Sequence, residues 1–132
     1  MTVNISDCNK FVEEHFKAWN RFTPEKVAES YTIDACFTIN RGEPMNGRIE
    51  IATMVSGFMS EFPDMVLKCE TVMIADHHMV YGWTFEGHHK ETKKFVSIKG
   101  WEEWDFDENM KVKSSLGWYD AQEYERQVAE GV

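Results

Sequence analysis

The sequence predicts an α+β fold in which helices pack on one face of a curved antiparallel sheet. Segments with helical periodicity come first in the chain, and long stretches of alternating apolar and polar residues follow them. Helices that precede a meander of strands pack together on one side of the resulting sheet. The length of 132 residues and the hydrophobic fraction of 42% fit a single domain over residues 1–132.

Three helices are predicted in the first half of the chain. Apolar side chains recur every three or four residues over 7–22, which predicts an amphipathic helix. Thr23-Pro24-Glu25 begins a second, short helix that is predicted to end near Tyr31, because Thr suits the N-cap and Pro the first helical position. A third helix is predicted to follow a turn-rich loop and to end at Glu61.

The remaining elements are predicted to be strands and one short helix. A short strand over 35–39 precedes the third helix. Asp120 and Glu123 form a capping box for the last helix. Apolar and polar residues alternate in the strands that follow the third helix, which is typical of an antiparallel sheet with one side in solvent. These four strands are predicted over residues 65–73, 79–86, 96–106 and 110–118.

Strand parity turns one carboxyl group toward the apolar interior. In the register that matches apolar residues across the hairpins, Trp83 faces Glu102, and Glu102 faces Ser114. A shift of one residue would turn all the rings on this face outward, so the register is strongly specified. A carboxylate among Trp83 and Trp104 is costly to bury, and desolvation should raise the pKa of Glu102.

A histidine is predicted to share this interior. His15 lies within the apolar stripe of the first helix, which should pack on the sheet. Two titratable groups that converge in an aromatic cavity are a candidate functional site, although a buried Glu102 or His15 can equally be a structural residue satisfied by hydrogen bonds. The side chains expected to contact a ligand are Trp19, Tyr31, Phe58, Tyr81, Trp83, Trp104 and Ser114.

Composition excludes several function classes. The net charge of −9 argues against binding to nucleic acid or to an anionic membrane surface. The first residues carry no signal-peptide pattern, and no apolar run reaches the length of a membrane span. Cys8, Cys36 and Cys69 are odd in number and widely spaced, which predicts reduced thiols in a cytoplasmic protein.

No metal site or cofactor is expected. The pairs His77-His78 and His88-His89 are adjacent residues, and neighbours on a strand point to opposite faces, so a pair seldom supplies two ligands to one ion. No Gly-rich phosphate loop is present in the sequence. Trp101 falls on the outward face of the sheet, which predicts a covered surface there and a homodimer through that face.

Short motifs along almost the whole chain carry a family resemblance. They are Ala18-Trp19-Asn20, the segment 31–37, Gly47, Phe62-Pro63-Asp64, the segment 86–89 and the segment 106–109. In their order and spacing these motifs resemble the nuclear transport factor 2-like superfamily, and within it the SnoaL-like group of small bacterial proteins. The resemblance implies a cone-shaped, cystatin-like roll with an apolar pocket between helices and sheet, usually in a homodimer.

The resemblance also implies candidate catalytic residues. Ketosteroid isomerases place a tyrosine where this chain has His15 and a protonated aspartic acid where it has Glu102, and those two groups form their oxyanion hole. The general base of that family falls near Ile39 or Asn40 here, neither of which can remove a proton from carbon. SnoaL-like cyclases place a catalytic acid at the position of Glu102 and a histidine in the segment that contains His89.

Two functions remain open from the sequence. The first is a cofactor-independent acid/base enzyme, an isomerase, cyclase or dehydratase, that acts on an apolar or aromatic carbonyl compound with Glu102 and either His15 or His89. The alternative is a non-catalytic ligand-binding or dimeric scaffold protein, which the missing base near Ile39 favours. An open cavity with Glu102 and a histidine within hydrogen-bond reach would support the enzyme, and a cavity filled by Met and Trp side chains would support the scaffold.

Overall fold

The computed structural model describes residues 4–132 and confirms the predicted α+β fold. The helices within that range are α1 (Ile5–Asn20), α2 (Pro24–Ala28), α3 (Gly47–Glu61) and α4 (Ala121–Glu130). The strands are β1 (Tyr31–Ile39), β2 (Met45–Asn46), β3 (Val66–Ala75), β4 (His78–His88), β5 (Phe95–Phe106) and β6 (Val112–Tyr119). None of the helices in residues 4–132 has the length and hydropathy needed to cross a membrane.

The six strands form one mixed sheet with the order β2-β1-β6-β5-β4-β3. Strands β3 to β6 form the predicted antiparallel meander. Strand β1 pairs with β6 in parallel, which the sequence did not indicate. Tyr31 begins β1 and does not end the second helix, which stops at Ala28. Its aromatic side chain suits a strand better than a helix, and it is almost fully buried there.

Helix α1 places its apolar stripe on the inner face of the sheet. The stripe includes His15, Phe16 and Trp19, all of which are buried. The end of the helix is fixed to the edge strand β3, because the Asn20 side chain donates to the carbonyl of Leu67 and accepts from its N–H, both at 2.8 Å. This pair of hydrogen bonds explains the Trp19-Asn20 motif as a structural connection between helix and sheet.

The Phe62-Pro63-Asp64 motif is also structural. Asp64 Oδ1 accepts from the backbone N–H of His88 at 2.7 Å, and Asp64 Oδ2 lies 2.6 Å from His88 Nδ1. These bonds hold the pKa of Asp64 below its usual range, the backbone bond from His88 first. The turn after α3 is thereby joined to the end of β4, which positions both elements around the interior.

The observed register differs from the expected one in two ways. Across β4 and β5, Tyr81 faces Glu102 and Trp83 faces Gly100, a shift of two residues that leaves every side chain on its predicted face. Across β5 and β6, Glu102 faces Gly117, and an irregularity near Phe106 changes the parity of β6. A bulge of this kind adds one residue to a strand and reverses the faces beyond it.

Candidate active site

A cavity lies between the inner face of the sheet and the helices α1, α3 and α4. The cavity itself has a volume of about 70 Å³, and it opens to solvent at its mouth. Aromatic side chains dominate its walls, as in sites that bind apolar small molecules. The lining residues are His15, Trp19, Tyr31, Phe37, Ile39, Met54, Phe58, Leu67, Tyr81, Trp83, Phe85, Ile98, Glu102, Tyr119 and Tyr124.

The structure brings together most of the side chains that the sequence singled out. Strand β5 supplies Glu102, and helix α1 supplies His15 from the opposite wall. Five of the predicted ligand contacts also line the cavity, namely Trp19, Tyr31, Phe58, Tyr81 and Trp83. An acidic side chain from the sheet and an imidazole from the first helix therefore do face one hollow.

The other three candidates lie outside this cavity. Ser114 is replaced on the inner face by Ser115, because the bulge reverses the parity of β6. Trp104 is 2% exposed and lies in the core behind the cavity wall, where it packs edge-on against His15 and Tyr81. Trp104 keeps its predicted inward direction, so parity alone does not decide which inward rings reach the cavity.

His89 is the third. It lies in the turn after β4, where its Nδ1 accepts from the backbone N–H of Glu91 at 3.2 Å and its ring packs on Phe62. The prediction that it faces the cavity is therefore wrong. The strand pairing ends at His88, so the alternation that assigned His89 to the inner face does not extend to it.

Two glycines let the key side chains lie flat on the sheet. A Cβ atom at Gly117, opposite Glu102, would come within 2.5 Å of Glu102 Oε1. A Cβ atom at Gly100, opposite Trp83, would overlap both the Trp83 ring and the carbonyl of Trp118. The missing side chains thus create the floor on which the Glu102 carboxyl group and the Trp83 indole rest.

Glu102 is held as a carboxylic acid at neutral pH. Burial raises its pKa to about 8, although side-chain hydrogen bonding from Ser115 and the nearby Trp83 indole oppose the shift. The Trp104 indole N–H donates to Ser115 Oγ at 3.0 Å, and Ser115 Oγ donates to Glu102 Oε2 at 3.0 Å. Since Oε2 accepts this bond, the acidic proton belongs on Oε1.

Trp83 offers a second donor beside this acid. Its indole Nε1 is buried and makes no hydrogen bond of regular geometry among the described residues, although it approaches the Glu102 carboxyl group closely enough to lower the pKa of that acid. Buried donors without a partner are rare in folded proteins and are characteristic of sites that bind or react. Trp83 lines the same cavity as Glu102 and lies close enough to lower its pKa.

His15 is a neutral side chain with both ring nitrogens engaged. Its Nε2 accepts from the Trp19 indole N–H at 3.2 Å, which assigns the ring proton to Nδ1, 2.8 Å from Ser30 Oγ. Burial lowers its pKa to about 3. His15 therefore forms a rigid wall of the cavity and stays a neutral imidazole at neutral pH.

The phenols in the cavity remain protonated as well. Burial first, and the neighbouring Glu102 second, raise the pKa values of Tyr31 and Tyr81 well above their usual range. Glu102 is consequently the one lining group in the described chain whose titration lies near neutrality. The arrangement can donate hydrogen bonds to an oxygen atom, or a proton, in an aromatic environment.

Sequence reasoning missed eight lining residues. Phe37, Ile39, Leu67, Phe85 and Ile98 are alternating strand residues, and their parity could have assigned them to the inner face. Tyr119 enters the cavity because the bulge changes the parity of β6, and Tyr124 enters because α4 folds back over the sheet. The full set is Phe37, Ile39, Met54, Leu67, Phe85, Ile98, Tyr119 and Tyr124.

Several solved structures share this fold at low sequence identity. TsrD from Streptomyces laurentii is 13% identical, with a TM-score of 0.84 over 96% of this chain and 97% of that one. A protein with a ketosteroid isomerase-like fold from Catenulispora acidiphila, solved in complex with trimethylamine, is 15% identical, with a TM-score of 0.81 over 89% and 91%. SalBIII, an epoxide hydrolase/cyclase-like enzyme in pyran ring formation in the polyether salinomycin, is 11% identical, with a TM-score of 0.79 over 89% and 94%.

The family assignment comes from the sequence itself. No curated protein sequence matches the chain significantly. The family model of the SnoaL-like domain matches residues 12–114, which include most of the cavity walls and Glu102. This match covers well over half of the chain and agrees with the fold and with the buried pocket: the chain belongs to the SnoaL-like domain family.

Proposed function

We propose that the cavity binds an apolar or aromatic carbonyl compound and that Glu102 protonates, or donates a hydrogen bond to, its oxygen atom. The reaction class is a cofactor-independent isomerisation, cyclisation or dehydration. The observation that carries this proposal is a carboxylic acid with a pKa of about 8 inside an aromatic cavity. A general acid is most effective when its pKa lies near the working pH.

Two donors can meet one ligand oxygen. Glu102 Oε1 carries the acidic proton, and Trp83 Nε1 is a buried donor beside it that makes no hydrogen bond of regular geometry in the described residues. A carbonyl oxygen placed between them would accept from both, and a developing negative charge on it would strengthen both bonds. Preorganised donors of this kind in a water-poor site stabilise oxyanions strongly.

Glu102 can carry out a complete proton transfer without a second residue. In an enolisation it gives its proton to the carbonyl oxygen, and as a carboxylate it then takes a proton from the adjacent carbon. The products are the enol and the regenerated carboxylic acid. His15 is assigned a positioning role in this scheme, because its ring is neutral and bonded on both sides.

The alternative is a ligand-binding protein without catalysis. It is favoured by a specific observation: among the described residues that line the cavity, no second group titrates near neutral pH beside Glu102. In this case the same two donors would serve recognition of a carbonyl or phenol oxygen, and turnover would not follow binding.

A proton-exchange experiment separates these functions. The probe is 2-tetralone in deuterated buffer, with exchange at the carbon next to the carbonyl followed by NMR and binding followed by tryptophan fluorescence. We expect the wild type to accelerate exchange, and Glu102→Gln to bind the ketone but lose about a hundredfold or more in rate. Glu108→Gln, at an exposed acid, is the matched control.

Each outcome has a defined meaning. Unchanged exchange in Glu102→Gln would remove Glu102 from the mechanism. Saturable binding with exchange no faster than in buffer would support the non-catalytic alternative.

The expected homodimer is a further proposal. The outer face of the sheet exposes Met73, Val80, Trp101 and Leu116, with exposed fractions of 65%, 37%, 47% and 39%. A second copy of this chain packed on that face would cover them.

The three cysteines in residues 4–132 are free, which supports the proposal of a cytoplasmic location.

A further inference from the structure

We infer that His77, His78 and Asp105 form a binding site for a zinc ion on the outer side of the sheet. His77 Nε2 lies 3.3 Å from Asp105 Oδ1, and His78 Nδ1 lies 3.0 Å from the same oxygen. The three candidate ligand atoms all lie within 4.8 Å of one another. Within residues 4–132 no other group of three histidine, cysteine or acidic side chains converges in this way.

These distances match the ligand spacing of a tetrahedral zinc site. Zinc binds imidazole nitrogen and carboxylate oxygen at about 2.0–2.2 Å, so two ligand atoms at tetrahedral angles lie about 3.3 Å apart. The observed separations to Asp105 are close to this value. A donor set of two imidazoles and one carboxylate also favours zinc over magnesium or calcium.

The turn between β3 and β4 brings the two histidines to one side. The parity rule predicted that adjacent histidines point apart, but His77 lies in the turn before β4 and is not part of the strand. Asp76 has a φ of +59°, which bends the chain through the left-handed region. The backbone N–H of Phe106 donates to the carbonyl of His77 at 2.9 Å and holds this turn against β5.

A second carboxylate orients the first ligand. Asp76 Oδ2 lies 3.1 Å from His77 Nδ1, which places the proton on Nδ1 and leaves the Nε2 lone pair facing Asp105. Metal-bound histidines commonly use their other nitrogen in this way, and such outer partners contribute substantially to metal affinity. The arrangement of carboxylate, histidine and open ligand position therefore exists before any ion binds.

The oxygen that both histidines approach, Asp105 Oδ1, makes no hydrogen bond with other described residues. Asp105 Oδ1 is buried and lacks a hydrogen-bond partner, although two imidazole nitrogens lie near it. The Lys113 ammonium group contacts the other oxygen, Oδ2, at 3.7 Å. A cation placed between Oδ1 and the imidazoles would satisfy all three atoms, and the net charge of −9 favours cation uptake.

This site is independent of the cavity. None of its three residues lines the hollow that contains Glu102. Three protein ligands leave at least one coordination position for water, as in open zinc sites. Its failure or success therefore does not bear on the acid/base proposal.

Calorimetric titration tests the zinc site directly. Untagged protein, stripped with a chelator and then freed of it, is titrated with zinc chloride. We expect one zinc ion per chain, and at least tenfold weaker binding in Asp105→Asn and in His78→Gln. The matched control is His88→Gln, since His88 is also exposed and paired with a carboxylate but has no second histidine ligand. Its affinity should stay within twofold of the wild type.

Cobalt substitution distinguishes this site from the cysteines. Bound Co²⁺ should show visible d–d absorption without a thiolate charge-transfer band, since Cys8, Cys36 and Cys69 lie outside the group. The inference would be overturned by the absence of zinc uptake, by a thiolate band, or by equal losses in His88→Gln and Asp105→Asn.

Discussion

Two of the three carboxyl groups on strand β5, those of Glu102 and Asp105, have surroundings that differ in almost every respect. Glu102 faces the aromatic cavity, is 8% exposed, and has a pKa raised to about 8. Asp105 faces outward, its side chain is 29% exposed, and cationic or titratable nitrogens from His77, His78 and Lys113 lie within 4 Å. The same functional group would therefore serve as a proton donor in the proposed reaction on one face and as a ligand in the proposed zinc site on the other.

The difference teaches that strand parity, more than residue type, sets the chemistry of an acidic side chain. On the inner face the neighbours are rings, and low polarity favours the neutral acid. On the outer face the neighbours of the carboxyl group are water and the nitrogens of His77, His78 and Lys113. A single strand can thus support two unrelated sites, because successive side chains alternate between the faces.

The largest expected effect is on the pH dependence of stability. A glutamic acid side chain exposed to water has a pKa of 4.5, and Glu102 in the fold has a pKa of about 8, so the folded state binds its proton more tightly. Stability from this group is complete below pH 4.5 and is lost as the pH rises toward 8. The slope is about −1.4 kcal/mol per pH unit, or roughly 5 kcal/mol across the window.

The contribution of His15 to stability depends on pH with the opposite sign. The pKa of His15 falls from 6.5 to about 3, so its contribution to stability is lost as the pH falls through that range. The two slopes cancel between pH 4.5 and 6.5, and the Glu102 slope stands alone from 6.5 to 8. Urea unfolding over this upper range should show the decline in the wild type and in Glu108→Gln, and not in Glu102→Gln. A persistent decline in Glu102→Gln would mean that another group is responsible.

The next effect compares glycines on the two faces. Gly100→Ala would drive a methyl group into the Trp83 ring and the carbonyl of Trp118 on the inner side. Overpacking of this kind costs about 1–3 kcal/mol or more. Gly82→Ala on the adjacent strand meets only the carbonyl of Gly100, at 3.9 Å, and should be nearly neutral. Thermal unfolding of both variants checks whether Gly100 makes room for the Trp83 ring. Equal losses of stability in the two variants would contradict this role.

The sequence predicted the fold and the inner position of Glu102. An error in register by an even number of residues leaves each side chain on the same face of the sheet. The hairpin of β4 and β5 is displaced by two residues from the expected pairing, yet Tyr81, Trp83 and Glu102 keep their faces. The periodicity of α1 likewise placed His15 and Trp19 correctly.

What could not be predicted depends on breaks in that alternation. A bulge replaces Ser114 by Ser115, and the end of strand pairing removes His89 from the cavity. The turn that holds His77 invalidated the parity argument against a metal site. Each of these breaks is a matter of backbone geometry that residue type alone specifies weakly.

Two neighbouring serines test the bulge. Ser115 accepts from Trp104 and donates to Glu102, so Ser115→Ala leaves a buried indole N–H without its partner and should cost about 1–3 kcal/mol. It should also raise the pKa of Glu102 further, since the Ser115 bond lowers it. Ser114→Ala, at a partly exposed position on the outer side, should change stability by no more than about 0.5 kcal/mol in urea unfolding. A larger cost at Ser114 than at Ser115 would favour the register without the bulge.

The smallest effect on folding is expected at the outer face. Trp101 is 47% exposed and stacks on Trp118, with ring centroids 6.3 Å apart. Because nearly half of this residue is in water within one chain, Trp101→Ser should change the free energy of unfolding of the monomer by only about 0.5 kcal/mol. In the proposed dimer the ring lies near the centre of the contact, where aromatic side chains dominate the energy. Sedimentation equilibrium should therefore show dissociation of Trp101→Ser at concentrations where the wild type is dimeric. Lys99→Ser, on the same face, should leave the dimer intact, and equal weakening by both changes would move the interface away from the tryptophan.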